Sequence, residues 1–489
     1  MLFNSHIFML LFLPLLLAGW YFLNWKKKFQ LAQGYLIGMS LWFYAYANLQ
    51  YLWLLLFSCL IGWLLSCLPE KISLEKGKKV LTGVGCVFHL GLLGYFKYSN
   101  FFLENLNTAF HTDFPMLQIL LPVGISFYTF QQLAYLIDRC RKDAPRDSFF
   151  DYLTFMVYFP QLLQGPILLR SEFMEQLKEP ERRRFHAERF SEGIQFFVFG
   201  LAKKVLLADT LAKAVNYGYS NVSMLDSISA LLLAVGYLTE LYFDFSGYCD
   251  MAVGLGKMIG LEVAENFDAP FHSASVKEFW RRWHMTLGRF FTRYVYIPLG
   301  GNRRGKMRTL CNVMIVMLLS GLWHGAAWTF VLWGFLHGVG MIWDNLEHPH
   351  LPKKWMRQAA TFAYVCMTFV FFRAESIEQG VDVLKSIVSL KWNGFVFQMA
   401  SALDLTEFYM ITKALSMKLP GLLSWFWLGI FVVLIAICFR VLSGEKVSGV
   451  VALQRQKGYG RLYPVLLAVL FTWSMISMTG VSEYLYFSF

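Results

Sequence analysis

Leu310-Cys311-Asn312-Val313-Met314-Ile315-Val316-Met317-Leu318-Leu319-Ser320-Gly321-Leu322-Trp323-His324-Gly325-Ala326 opens an apolar run that continues to Val339. A stretch of this length without a charged side chain reads as membrane-spanning helix, because about 20 apolar residues cross about 30 Å of hydrocarbon. Arg308 marks its cytoplasmic edge. His324 lies sixteen residues further on, about 24 Å along a helix rising 1.5 Å per residue. An ionisable imidazole at that depth is costly and marks a candidate functional site. Gly321 and Gly325 on either side leave room for a substrate or another backbone to approach.

Working outward, the same pattern fills the chain. Of 489 residues, 57% are hydrophobic, 18% aromatic and 16% charged, whereas soluble domains carry about a quarter charged residues. The expectation is an all-α polytopic membrane protein, with residues 1–489 forming a single integral-membrane domain. Apolar runs place candidate spans at 6–23, 31–47, 50–68, 79–97, 192–216, 225–243, 308–325, 327–344, 357–373, 422–439 and 462–480. Two further runs, 116–137 and 150–169, are interrupted by Pro115, Pro122 and Gly124, and by Pro160, Gly165 and Pro166. Such broken segments suit kinked or re-entrant pieces packed inside protein. About 11–13 membrane segments result.

The net charge of +12 is concentrated in short connections such as 24–30, 138–147, 277–308 and 440–461. This is a positive-inside distribution rather than a nucleic-acid-binding stripe, and it puts both termini outside. Residues 6–23 read as a retained first span, since the positives Lys26-Lys27-Lys28 follow the run rather than precede it. The polar stretch 170–191 reads as a cytoplasmic interfacial helix. The last residues, Glu483-Tyr484-Leu485-Tyr486-Phe487-Ser488-Phe489, read as an aromatic tail at the interface. Eight scattered cysteines with no Cys-x-x-Cys spacing predict free thiols, with neither a disulfide framework nor a metal site.

A second histidine stands forty residues before the first, in Phe279-Trp280-Arg281-Arg282-Trp283-His284. At helical spacing Trp280, Trp283, His284 and Leu287 share a face, with Arg281, Arg282, Arg289 and Arg293 elsewhere. Such a helix could simply anchor in the headgroup region. Its guanidinium groups would equally suit an anionic donor. His337, on the following run, reads as packing or support. Glu240 and Asp244 fall on one helical face, a pair able to act in acid–base chemistry or to neutralise a nearby cation. There is no complete phosphate-binding Gly-x-x-x-x-Gly-Lys-Ser/Thr, since Met307 follows Gly300–Lys306, and there is no Gly-x-Ser-x-Gly and no His-Glu-x-x-His. That argues against an ATP-driven pump, a serine hydrolase and a zinc protease.

Phe279–His284, Tyr296-Ile297-Pro298-Leu299-Gly300-Gly301-Asn302-Arg303 and Gly321–Ala326 together resemble the membrane-bound O-acyltransferases, in the AlgI-type branch named for alginate O-acetylation. Leu121–Phe130, Phe159-Pro160-Gln161, Tyr242–Tyr248 and Phe371-Phe372-Arg373-Ala374 extend the likeness along the chain. The resemblance implies a helical membrane fold around a central tunnel, and carries the family histidine onto His324 and its second catalytic position onto His284. It implies a thioester donor, acetyl-CoA, with no bound cofactor, and a polysaccharide acceptor reached with an extracellular or periplasmic partner protein. Trp280, Arg281, Arg282, Trp283, Trp323 and Asp244 are then the candidate substrate-binding residues. One departure is Thr292-Arg293-Tyr294, where the family has Arg-Asp before the tyrosine. The missing acid predicts the loss of a local ion pair and casts doubt on alginate itself as the acceptor. D-alanyl transfer to teichoic acid, lipid-linked sugar transport and a non-catalytic scaffold are the competing expectations.

Overall fold

The structure is a computed structural model describing residues 1–68, 74–346, 353–442, 446–458, 460, 462–478 and 484–485. Among these residues every regular element is helical. The principal ones are α1 (Leu13–Trp25), α2 (Phe29–Cys67), α3 (Glu75–Leu93), α4 (Ile125–Arg141), α5 (Phe149–Val157) and α6 (Ser227–Ile259). They continue with α7 (Val276–Arg282), α8 (Met285–Phe291), α9 (Lys306–His324), α10 (Trp328–Asn345), α11 (Lys354–Arg373), α12 (Ile377–Val388), α13 (Pro420–Leu442) and α14 (Leu462–Ser477). Six described stretches are long and apolar enough to cross a bilayer: Phe8–Trp25, Leu49–Cys67, Glu75–Phe110, Ser227–Ile259, Lys306–His324 and Gly421–Leu442. The chain is an all-α, multi-pass membrane protein.

Several expected boundaries moved. The runs 31–47 and 50–68 are one 39-residue helix, α2, because Asn48 and Gln50 interrupt the hydropathy without breaking the backbone hydrogen bonds. Residues 192–216 form helix to Ala202, a π-helical turn over Lys203–Ala208, and helix again from Asp209. The two broken runs are broken as expected. Gly124, at φ +80°, sits at the start of α4, against the Leu162 carbonyl, where a Cβ would collide. The second run turns at Tyr158 between α5 and Phe159–Leu162. The 170–191 stretch is not one helix. Arg170–Lys178 is helical, with Phe173, Met174 and Leu177 buried, and Pro180 ends it. The region after Arg373 holds the amphipathic α12 and a further short helix, Phe395–Ser401, neither of them an apolar run of membrane length. All eight cysteines are free thiols. Of the aromatic tail, Glu483 and residues 486–489 lie outside the described residues. Tyr484 is fully buried rather than interfacial.

The chain packs as two compact units. The first comprises residues 1–197, 249–265 and 286–298. Its ionic framework includes Arg170, whose Nε donates to Asp147 at 2.7 Å. Arg293 pairs there with Asp138 and Asp143, each at 3.0 Å, and the Tyr294 hydroxyl donates to Asp138 at 2.9 Å. The ion pair thought lost with Thr292-Arg293-Tyr294 is therefore supplied from α4 and the loop after it. The second unit comprises residues 198–248, 266–285 and 299–489. Its centre is the α9–α10 hairpin, in which Gly321 meets the Phe330 carbonyl and Gly334 the Met317 carbonyl. Small residues at those positions let the two backbones approach closely.

Candidate active site

All the candidate site residues belong to the second unit. α9 ends at His324, and Gly325 follows in extended conformation. His324 retains 4% of its surface. Its ring lies against Trp323, Trp333 and Phe372, with centroids 4.9, 5.2 and 5.2 Å away. Gly325 is confined by the Phe330 ring and Gly321 by the Phe330 carbonyl. These glycines therefore serve α10 packing, not direct access of a substrate.

His284 reaches the same place by a different route. α7 stops at Arg282, Trp283 is extended, and His284 takes the left-handed conformation at φ +48° before α8 begins. The single amphipathic helix expected through Leu287 is thus broken, and Trp280, Trp283 and His284 do not share a helical face. Asn266 accounts for the break: its carbonyl accepts from the Met285 backbone N–H at 2.9 Å, and its side-chain oxygen lies 3.1 Å from His284 Nδ1. An amide oxygen can only accept, so Nδ1 carries the proton and Nε2 bears the lone pair. The His284 ring packs edge-on against Phe245 at 4.8 Å and stands 6.5 Å from His324, centroid to centroid.

His284 is fully buried, in the connection between spanning helices, and burial pushes its imidazole down from 6.5 to about 3. It is neutral at pH 7. The unfolded chain binds this proton below pH 6.5 and the folded chain does not, so the stability it contributes is complete above 6.5 and declines as pH falls toward 3. We expect thermal unfolding in detergent to show a smaller loss of stability between pH 7 and pH 4.5 for His284→Asn than for the unaltered protein. An equal loss would remove His284 as the source.

The remaining candidates divide. Trp323 joins the histidine pair, 6.1 Å from the His284 ring. Trp283 is buried and stacks on Phe279 at 5.4 Å, a packing position. Trp280 donates from Nε1 to His337 Nδ1 at 3.3 Å and meets Trp333 edge-on at 5.6 Å. His337 then offers its Nε2–H to the Thr368 hydroxyl, 2.9 Å away, which fixes it as a structural support. Arg282 is held by Glu278 at 2.9 Å, while Arg281 is exposed. Asp244 is 1% exposed and binds Lys204 Nζ at 2.6 Å. Lys204 also reaches Asp209 at 2.8 Å.

Lys204, Asn266, Trp333 and Phe372 were not expected at the site. Lys204 gave a signal, a lysine pair inside an apolar run. Asn266 gave none, since its role depends on a turn eighteen residues later.

Two buried imidazoles stand 6.5 Å apart inside a helical membrane protein, among packed aromatic rings. In such an arrangement one ring can take a proton from a bound hydroxyl while the other orients it. Residues 142–377 match the family model described as MBOAT, membrane-bound O-acyltransferase family. The chain is 36% identical over 423 residues to the peptidoglycan O-acetyltransferase of Helicobacter pylori, covering 80% of each protein. It is 40% identical over 390 residues to the probable alginate O-acetylase AlgI of Azotobacter vinelandii, covering 77% of this chain and 76% of that one. The teichoic acid D-alanyltransferase of Streptococcus thermophilus is more distant, 28% identical over 49% of this chain. The chain belongs to the membrane-bound O-acyltransferase family, and it is an O-acyltransferase.

Proposed function

We propose that the protein, acting through residues 1–489 as one catalytic domain, moves an acetyl group from a cytoplasmic thioester toward hydroxyls of a polysaccharide outside the cell. Acetyl-CoA is the proposed donor, used as a substrate with no bound cofactor. The setting is the cytoplasmic membrane, with both termini outside and an extracellular or periplasmic partner protein completing delivery. Relatives named for O-acetylation of peptidoglycan and of alginate support acetyl as the group.

His324 is the proposed general base. Its imidazole takes the proton of the acceptor hydroxyl while the hydroxyl oxygen attacks the acyl carbon. The new carbon–oxygen bond replaces the carbon–sulfur bond, and the departing thiolate receives the proton. His284 orients the hydroxyl: the lone pair at Nε2 suits it to accept a hydrogen bond rather than to stabilise an oxyanion. Arg281, being exposed, is the better placed of the two arginines for phosphate groups of the donor, since Arg282 engages Glu278. Trp280, Trp283 and Trp323 shape the surrounding wall.

The observation that carries this reading is the approach of the two histidine rings to 6.5 Å in a buried aromatic enclosure. The experiment compares ester on surface polymers of a deletion strain and its parent by mass spectrometry. We expect acetyl esters to disappear on deletion. Loss of alanyl esters would select D-alanyl transfer, and unchanged ester with altered polymer export would select transport or scaffolding.

A further inference from the structure

A cavity of about 730 Å³ lies in the second unit, one ring away from His324. Phe330 and Phe372 form part of its wall, and Phe372 is the ring packed on His324. Asp244 lines it too. Its volume lies in the range of small-molecule sites.

The polar side is unusual for a membrane protein. Asp209, Glu240, Asp244 and Glu375 face two cations, Lys204 and Arg373. Lys204 is occupied by Asp209 and Asp244, and Arg373 donates to Asn216 at 3.0 Å. Glu240 is 2% exposed, and its Oε2 has no hydrogen-bond partner among the described residues. Buried carboxyl oxygens are almost always partnered, so an oxygen left open at a cavity wall points to a ligand that donates to it. The excess of carboxylates disfavours an anionic ligand. Hydroxyl groups supply donors without charge, and two phenyl rings suit the apolar face of a sugar.

We propose that this cavity binds an uncharged carbohydrate, with Glu240 accepting a hydrogen bond from one of its hydroxyls and Phe330 and Phe372 against its ring. That this carbohydrate is the acyl acceptor rests on the acyl-transfer reading; the binding itself does not. The preference sets neutral glycans above polyuronates and polyphosphates.

The test measures equilibrium binding of cellotetraose and of a mannuronate tetramer to the full-length protein in nanodiscs, beside its ester-forming activity. Cellotetraose is expected to bind the more tightly. Glu240→Leu should weaken it about fivefold, the loss of one hydrogen bond, with no fall in thermal midpoint, since the change removes an unsatisfied buried carboxyl. Glu240→Gln, which keeps one carbonyl oxygen, should fall between. Tighter binding of the mannuronate, no binding of either sugar, or unchanged cellotetraose affinity in both variants would each overturn the proposal. Neutral-sugar binding lost on Glu240→Leu, in a protein that forms no ester, would uphold the site and remove only its role as acceptor.

Discussion

His324→Ala is expected to lower acyl transfer by about a factor of 10² to 10⁴, the usual contribution of a positioned general base, while the protein still inserts and accumulates. The side chain sits in a cage of Trp323, Trp333 and Phe372 that α9, α10 and α11 build independently of it. Removing the imidazole therefore leaves the enclosure standing and takes away the group that accepts the hydroxyl proton. Labelled acetyl incorporation into surface polymer reads the chemistry, and immunoblotting of membranes reads accumulation. Wild-type incorporation by His324→Ala would end the catalytic role proposed for this residue. His324→Gln, which retains hydrogen bonding but not basicity at neutral pH, should be nearly as impaired. A purely packing histidine would tolerate that change far better.

The α9–α10 hairpin was legible in the sequence, because its information is local. Nineteen residues of α9 begin with Lys306 and end at His324, within two residues of the expected start at Arg308. The break between Trp283 and His284 was not legible. Arg-Arg-Trp-His-Met contains no helix breaker, and the left-handed turn is imposed by Asn266 from another part of the chain. The continuity of α2 was missed for the opposite reason, a dip in hydropathy without a change in backbone preference. α12 was not legible as a span because Glu378, Asp382 and Lys385 make it too polar. In the candidate site, the two histidines and Trp323 lie within 6.5 Å of one another, ring centre to ring centre. Arg282 and Trp283 proved to be engaged with Glu278 and Phe279, interactions that spacing alone does not disclose.

The second large effect concerns Lys204. It occupies a π-helical turn, a backbone irregularity common at functional sites, and is 2% exposed. Its ammonium group lies between Asp244 and Asp209, at 2.6 and 2.8 Å, and over the Tyr484 ring at 4.6 Å. The second Asp244 oxygen accepts the Leu485 backbone N–H at 3.1 Å, so the same carboxylate also holds the described part of the C-terminal segment. Lys204→Met keeps the volume and removes the charge, leaving two acidic groups without their cation. Breaking a buried pair on one side costs about 3–5 kcal/mol, so a large fall in the thermal midpoint of the purified protein is expected. Lys204→Met with Asp244→Asn removes both charges of the tighter pair and should recover most of that loss, because an amide is far less costly to bury than an unpaired carboxylate. A single variant as stable as the parent would show that the ion pair contributes nothing net. A double variant no better than the single would place the cost in Asp209 instead. Recovered stability without recovered transfer would further separate the pair's structural role from a part in binding the acceptor.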